Sequence, residues 1–264
     1  MSTSEDRPEL LGTQLFDLSG RVAIMTGAGR GLGHTMALAL GAAGADLVLA
    51  SRTAKELHSL GREIEELGRR AVVVPTDVTS PDACEALVKT AIEELGRLDV
   101  LVNNAGTNVR KAALEITPDE FDFVVQTNLK GYFNCARAAG RHFVEQQSGK
   151  IINLSSILGS VALPNQAAYA SSKGGIEQLT KVLAVEWATE GVQVNSLAPT
   201  YFETDLTRPL YDDPERRAFI EERTPVGRWG QPHELAGAVI FLASSASDFV
   251  TGQVLHVDGG WTAW

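Results

Sequence analysis

The chain has 264 residues, 44% hydrophobic and 21% charged, which suits a soluble globular protein of one large or two small domains. Its formal charge of −10 argues against a general nucleic-acid binder, because such proteins carry basic patches that displace counterions. Two cysteines, Cys84 and Cys135, are too few for a disulfide framework and match no close-spaced metal motif, so they read as buried small hydrophobes in a reducing compartment.

Residues 1–17 are mixed polar and acidic and read as an N-terminal extension, without the basic region and apolar core of a secretory signal. No apolar run reaches the ~18 residues of a membrane helix, so a cytoplasmic location and no membrane partner are expected. From residue 18 onward, apolar β-rich runs alternate with helical patterns. The order is strand 22–26, helix 31–43, strand 46–50, helix 54–67, strand 71–76, helix 81–95 and strand 100–102. It continues with helix 118–147, strand 151–154, helix 167–190, strand 192–197, helix 233–243 and strand 253–257. The runs lack polar alternation, as expected of strands covered on both faces of a parallel sheet. Thr53, Ser80 and Thr117 stand where helix N-caps belong. The pattern predicts an α/β fold with a doubly wound parallel sheet of Rossmann type, as one domain over 18–264. Residues 200–230 break the rhythm with three prolines and several aromatics, and read as a cover over a site.

The first strand leads through Thr26-Gly27-Ala28-Gly29-Arg30-Gly31-Leu32-Gly33 directly into a helix. Glycines let the backbone approach a pyrophosphate, whose charge is favoured at a helix N-terminus. Leu32 stands where the third glycine of G-x-G-x-x-G would be, and glycines also make ordinary turns, so the placement carries more weight than the spacing. The second strand ends in Ala50-Ser51-Arg52, without the acid that would accept from the ribose hydroxyls of NAD. Arg52 and Arg30 could instead grip a 2′-phosphate with their planar forks, or be solvated surface arginines. NADP(H) is therefore the expected cofactor, with NAD(H) possible.

Further on lie Ser155-Ser156 and Tyr169-Ala170-Ser171-Ser172-Lys173. Tyr169 and Lys173, four apart on a helix, share a face. Carbonyl reduction needs a hydride donor and a group that gives a proton to the developing alkoxide. A free phenol has a pKa of about 10, and a neighbouring ammonium would favour its ionised form. Strand alternation turns only one of the adjacent serines toward the cleft, and Ser156 is the candidate. The five histidines pair with no other His or Cys at ligand spacing, so no metal is expected.

These features, together with Asn103-Asn104-Ala105-Gly106 after the fourth strand, occur in an order that resembles the short-chain dehydrogenase/reductase family, over nearly the whole chain from Leu18 to Gly260. The resemblance implies Tyr169 as general acid/base, Lys173 as the group that lowers its pKa and holds the nicotinamide ribose, and Ser156 as donor to the substrate oxygen. It implies Asn128 as the residue that holds a water linking the lysine to solvent. It further implies cofactor contacts from Gly27, Gly29, Gly31, Leu32, Gly33, Ser51, Asp77, Val78, Asn104, Ala105, Gly106, Pro199 and Thr204, and a homotetramer. Asn128 could equally satisfy buried backbone groups, and Asp77 could be a turn residue. The family usually has Pro-Gly where this chain has Pro199-Thr200, which puts the path of the loop into the cover in question. Leu15–Gly20 and Arg223–Gly230 are similar to the gluconate 5-dehydrogenase branch, which implies a sugar acid or polyol substrate. A 3-oxoacyl thioester reductase and a non-catalytic dinucleotide sensor are the alternatives.

Overall fold

The computed structural model describes residues 12–205 and 207–264. The strands are β1 (Val22–Thr26), β2 (Asp46–Ser51), β3 (Ala71–Pro75), β4 (Val100–Asn103), β5 (Gly149–Leu154), β6 (Val192–Pro199) and β7 (Val254–Val257). All pair in parallel, in the order β3-β2-β1-β4-β5-β6-β7. The doubly wound sheet expected from the alternation is therefore present. The order reverses between β1 and β4, where the carboxyl ends of an open α/β sheet form their crevice.

The helices are α1 (Gly31–Ala42), α2 (Ala54–Glu66), α3 (Pro81–Leu95), α4 (Pro118–Val125), α5 (Gly131–Gln146), α6 (Ala167–Trp187), α7 (Arg208–Tyr211), α8 (Pro214–Arg223) and α9 (Ala236–Ala243). Leu40, Leu57 and Val239 belong to a core on one face of the sheet, with α1, α2 and α9. Leu87, Phe143 and Leu183 belong to a core on the other, with α3, α5 and α6. Strands β1, β4 and β5 are buried along their whole length, which is why their sequences show no alternation.

The expected helix 118–147 is interrupted by a π turn at Gln126–Lys130, and such turns gather at functional sites. Ser80 accepts from the Ala83 amide at 3.2 Å, and Thr117 forms a capping box with Glu120. Thr53 occupies its N-cap position without a side-chain cap bond, and its backbone amide donates to Ser51 Oγ at 3.2 Å. Of the expected extension 1–17, residues 1–11 lie outside the described residues, and Gly12–Phe16 forms a 3-10 turn. Among the described residues no helix is long and apolar enough to cross a membrane, and no cluster of His, Cys, Asp and Glu is placed to hold a metal ion.

Candidate active site

The turns after β1 and β4 are stitched together. Thr26 Oγ1 accepts from the amides of Asn104 (2.9 Å) and Ala105 (3.2 Å). Asn104 Nδ2 donates to the carbonyls of Thr26 (3.0 Å) and Gly27 (2.9 Å). Gly27 holds φ +63°, and a Cβ there would stand 2.8 Å from Ala105 Cα. A Cβ on Gly33 would strike the Gly27 carbonyl oxygen, so helix and turn meet without room for a side chain. Gly106 lies against Asn128 Oδ1, and Leu32 packs on the core.

Arg30 is the N-cap of α1 and gives it no side-chain cap, which leaves the first-turn amides free to meet an anion. Arg30 and Arg52 are both exposed. Gly29 faces Ser51 Oγ and the Glu56 carboxylate. Asp77 Oδ1 accepts from the Thr79 amide (2.9 Å) and hydroxyl (2.8 Å), which, with the nearby charge of Arg52, holds its pKa below the usual carboxylate value. The Val78 carbonyl is occupied by Asn134 Nδ2 at 3.0 Å. Thr204 lies against Gly31, so the start of the cover reaches the glycine turn, and Pro199 ends β6 beside Val257.

Tyr169, Lys173 and Ser156 converge where β5 meets α6. Lys173 is 3% exposed. Its Nζ donates to the Leu154 carbonyl at 2.5 Å and stands 5.5 Å from the centroid of the Tyr169 ring and 5.3 Å from that of Tyr132. Ser156 Oγ accepts from the Leu158 amide at 3.2 Å and bears on the Tyr169 phenol. Asn128, wholly buried in the π turn, accepts from the Thr107 amide (2.8 Å). It donates to the Thr107 carbonyl and to Ser172 Oγ, each at 3.0 Å. Ser172 Oγ in turn donates to the Tyr169 carbonyl at 2.7 Å. The Asn128 side chain thus ties the strand-four loop to α6 through buried groups.

The electrostatics differ from the expectation that Lys173 lowers the Tyr169 pKa. Burial raises the phenol above its ordinary value, and what opposes the rise is the Ser156 hydroxyl and the charge of Arg110. Lys173 is itself brought down to about 7 by burial, which disfavours its charged form.

Over the site, Tyr201, Tyr211, Trp229 and Trp261 interlock, with ring centroids 5.3–5.6 Å apart. They pack in one cluster with Ile157, Leu158, Ile220 and Tyr169. Thr200 avoids positive φ, the region that would have required glycine, so its side chain causes no backbone strain.

The family described as enoyl-(acyl carrier protein) reductase matches residues 27–262. A gluconate 5-dehydrogenase of Gluconobacter oxydans is 42% identical over 248 residues, 94% of this chain and 97% of that protein. The chain belongs to the short-chain dehydrogenase/reductase family. A 2-dehydro-3-deoxy-D-gluconate 5-dehydrogenase of Escherichia coli K12 is 42% identical over 252 residues, 94% of this chain and 98% of its own. The crystal structure of a gluconate 5-dehydrogenase from Burkholderia cenocepacia, in complex with NADP and tartrate, superposes with a TM-score of 0.91 at 44% identity, covering 95% of this chain and 98% of that one.

In this short-chain dehydrogenase/reductase several site contacts are announced by no motif. Thr26 opens the glycine-rich run, yet nothing in that run signals its bonds to the Asn104 and Ala105 amides. Ser172 lies three residues after Tyr169 on the same helix face, a spacing that could have singled it out. Arg110, in the loop after β4, bears by its charge on the phenols of both Tyr169 and Tyr201.

Proposed function

We propose that this protein interconverts a secondary alcohol and a ketone on a small polyhydroxy acid, with NADP(H) preferred over NAD(H). The reading rests on one observation: the Tyr169 hydroxyl, the Ser156 hydroxyl and the Lys173 amine come together past the carboxyl end of β5. The tight Gly27–Gly33 contact, the uncapped α1 and the exposed Arg30 and Arg52 suit a dinucleotide carrying a 2′-phosphate. When bound, that cofactor supplies or accepts the hydride at the carbinol carbon. Gly27, Gly29, Gly31, Leu32, Gly33, Ser51, Asp77, Val78, Asn104, Ala105, Gly106, Pro199 and Thr204 line its course.

In reduction, Tyr169 gives its proton to the carbonyl oxygen while Ser156 donates a hydrogen bond to the same atom. A phenol is protonated at neutral pH, and burial raises its pKa further, which suits it to give the proton. Lys173, poised near 7, restores the proton to Tyr169, and in oxidation its charged form draws the phenol toward ionisation. Asn128 holds the loop and α6 at fixed separation.

An acidic substrate is favoured by Arg110, whose charge bears on Tyr169 and Tyr201 at the mouth of the site. The enzymes acting on gluconate and its keto derivatives, and the tartrate complex of the Burkholderia relative, support the same class. The family's homotetramer, a cytoplasmic location and the absence of a nucleic-acid partner belong to this reading, and sedimentation tests the assembly.

The deciding experiment is a carbonyl panel of 5-ketogluconate, cyclic ketones and acetoacetyl thioesters, run with NADPH and NADH. The keto acid with NADPH should lead, and a dominant thioester activity would reject the substrate class. Tyr169→Phe should retain NADPH binding and lose at least about two orders of magnitude in rate. Unchanged turnover would remove the proton-donor assignment.

A further inference from the structure

Glu177 is a buried carboxylate, 9% exposed, that the chemistry above leaves unused. It lies one turn beyond Lys173, so Tyr169, Lys173 and Glu177 follow one another along one stripe of α6. Its oxygens reach both sides of Ser156. Oε1 accepts from Ser155 Oγ at 3.0 Å, and Ser160 Oγ lies 3.3 Å from Oε1 and 3.2 Å from Oε2. Room for the carboxylate is made by Gly159, where a Cβ would collide with Oε1. The chain continues from Ser160 to His256 of β7, whose Nε2 is 3.2 Å from Ser160 Oγ.

Counting hydrogens gives the chain a direction. A carboxylate only accepts, so Ser160 gives it its single hydroxyl proton, and Ser155 shares its own between Glu177 Oε1 at 3.0 Å and the Lys173 carbonyl at 3.2 Å. Ser160 then has only lone pairs left for His256, which must donate from Nε2. The relay therefore runs from His256 through Ser160 into Glu177, and Ser155 closes it from the other side. It joins β7, the turn after β5 and α6 around one buried charge.

We propose that Glu177 is a positioning residue for catalysis: by holding Ser155 and Ser160 it fixes the turn that aims Ser156 at the oxygen served by Tyr169. The inference rests on Ser156 acting as the donor described above. A network satisfied at every member rigidifies what it connects, and loss of an acceptor releases both serines together. Placement errors of this kind lower turnover and leave distant binding contacts intact.

The test is steady-state kinetics of the full chain with NADPH and the best keto acid of the panel, for wild type, Glu177→Met, Glu177→Gln, Ser156→Ala and the Ser156→Ala/Glu177→Met pair. Glu177→Met should lower kcat about tenfold or more with KM for NADPH within about twofold, and Glu177→Gln, which keeps one acceptor oxygen, should recover most of it. In the Ser156→Ala background the same change should cost less than about twofold, because the group it positions is gone. Wild-type kcat in Glu177→Met, or an equal loss in both backgrounds, overturns the proposal. Should Glu177→Met not fold, exposed Ser160→Ala takes its place, and an unaltered kcat there overturns the proposal equally. Ser156→Ala at the wild-type rate would defeat the donor assignment and this inference with it. A slow Ser156→Ala beside a fully active Glu177→Met defeats the inference alone.

Discussion

Lys173 donates to the carbonyl oxygen of Leu154, the last residue of β5, at 2.5 Å, and burial alone accounts for the fall of its pKa to about 7. An ammonium placed this way costs stability. The cost is full below pH 7 and fades as pH rises toward the ordinary value of 10.5, because over that window the unfolded chain holds a proton that the folded one has released. Leu154 also accepts from the Tyr132 hydroxyl at 3.2 Å, so its carbonyl stays partnered without the lysine. Lys173→Met should therefore stabilise the protein by about 1–4 kcal/mol near pH 7 while abolishing most turnover. The gain should shrink on approaching pH 10. Denaturant unfolding at the two pH values measures it, and a destabilised variant would show that the ammonium is better compensated than its surroundings indicate.

Arg52 stands exposed at the tip of β2, near enough to Asp77 to lower its carboxyl pKa. A charge-assisted contact to a 2′-phosphate is worth about 1.5–3 kcal/mol. Arg52→Ala should accordingly weaken NADPH binding about 10- to 100-fold and leave NADH nearly unchanged. Calorimetric titration of both cofactors decides the point. An equal loss for the two would mean that Arg52 supports the loop and not the phosphate.

Much of the sheet was legible because buried parallel strands have no alternative pattern to show, and the expected strands 22–26 and 100–102 differ from the observed ones by at most a residue. The glycine turn and the Tyr169/Lys173 pair were legible because their spacing is local. What stayed hidden depends on contacts between distant segments. The π turn at Gln126–Lys130 holds Asn128 against Thr107 and Ser172, neither of which a helical period announces. The upward shift of the Tyr169 pKa comes from burial, a three-dimensional quantity that a motif does not carry.

Arg110 lies on the loop after β4, exposed, with its charge felt at both Tyr169 and Tyr201. If it receives the substrate carboxylate, Arg110→Gln should raise KM for a keto acid about fivefold to tenfold, equivalent to an exposed ion pair of ~1 kcal/mol. A neutral ketone should be affected less than about twofold, since it offers no charge to lose. Raising ionic strength should reduce the wild-type advantage for the acid in parallel. A KM that rises equally for both substrates would assign Arg110 to the shape of the loop.

Thr200 follows Pro199 where β6 enters the cover, and its Oγ1 is buried without a hydrogen-bond partner among the described residues. Its backbone amide is already directed to the Val257 carbonyl at 3.4 Å, so the side chain is not needed to hold the strand end. Valine has nearly the same shape without the hydroxyl. Removing an unpaired buried polar group recovers its desolvation cost of about 1–3 kcal/mol. Thr200→Val should therefore raise the unfolding midpoint of the ligand-free protein, read by thermal denaturation, with the sheet and the aromatic cluster unchanged. A fall in stability would mean that the hydroxyl finds a partner in solution, and a matched loss of keto-acid binding would identify that partner as the ligand.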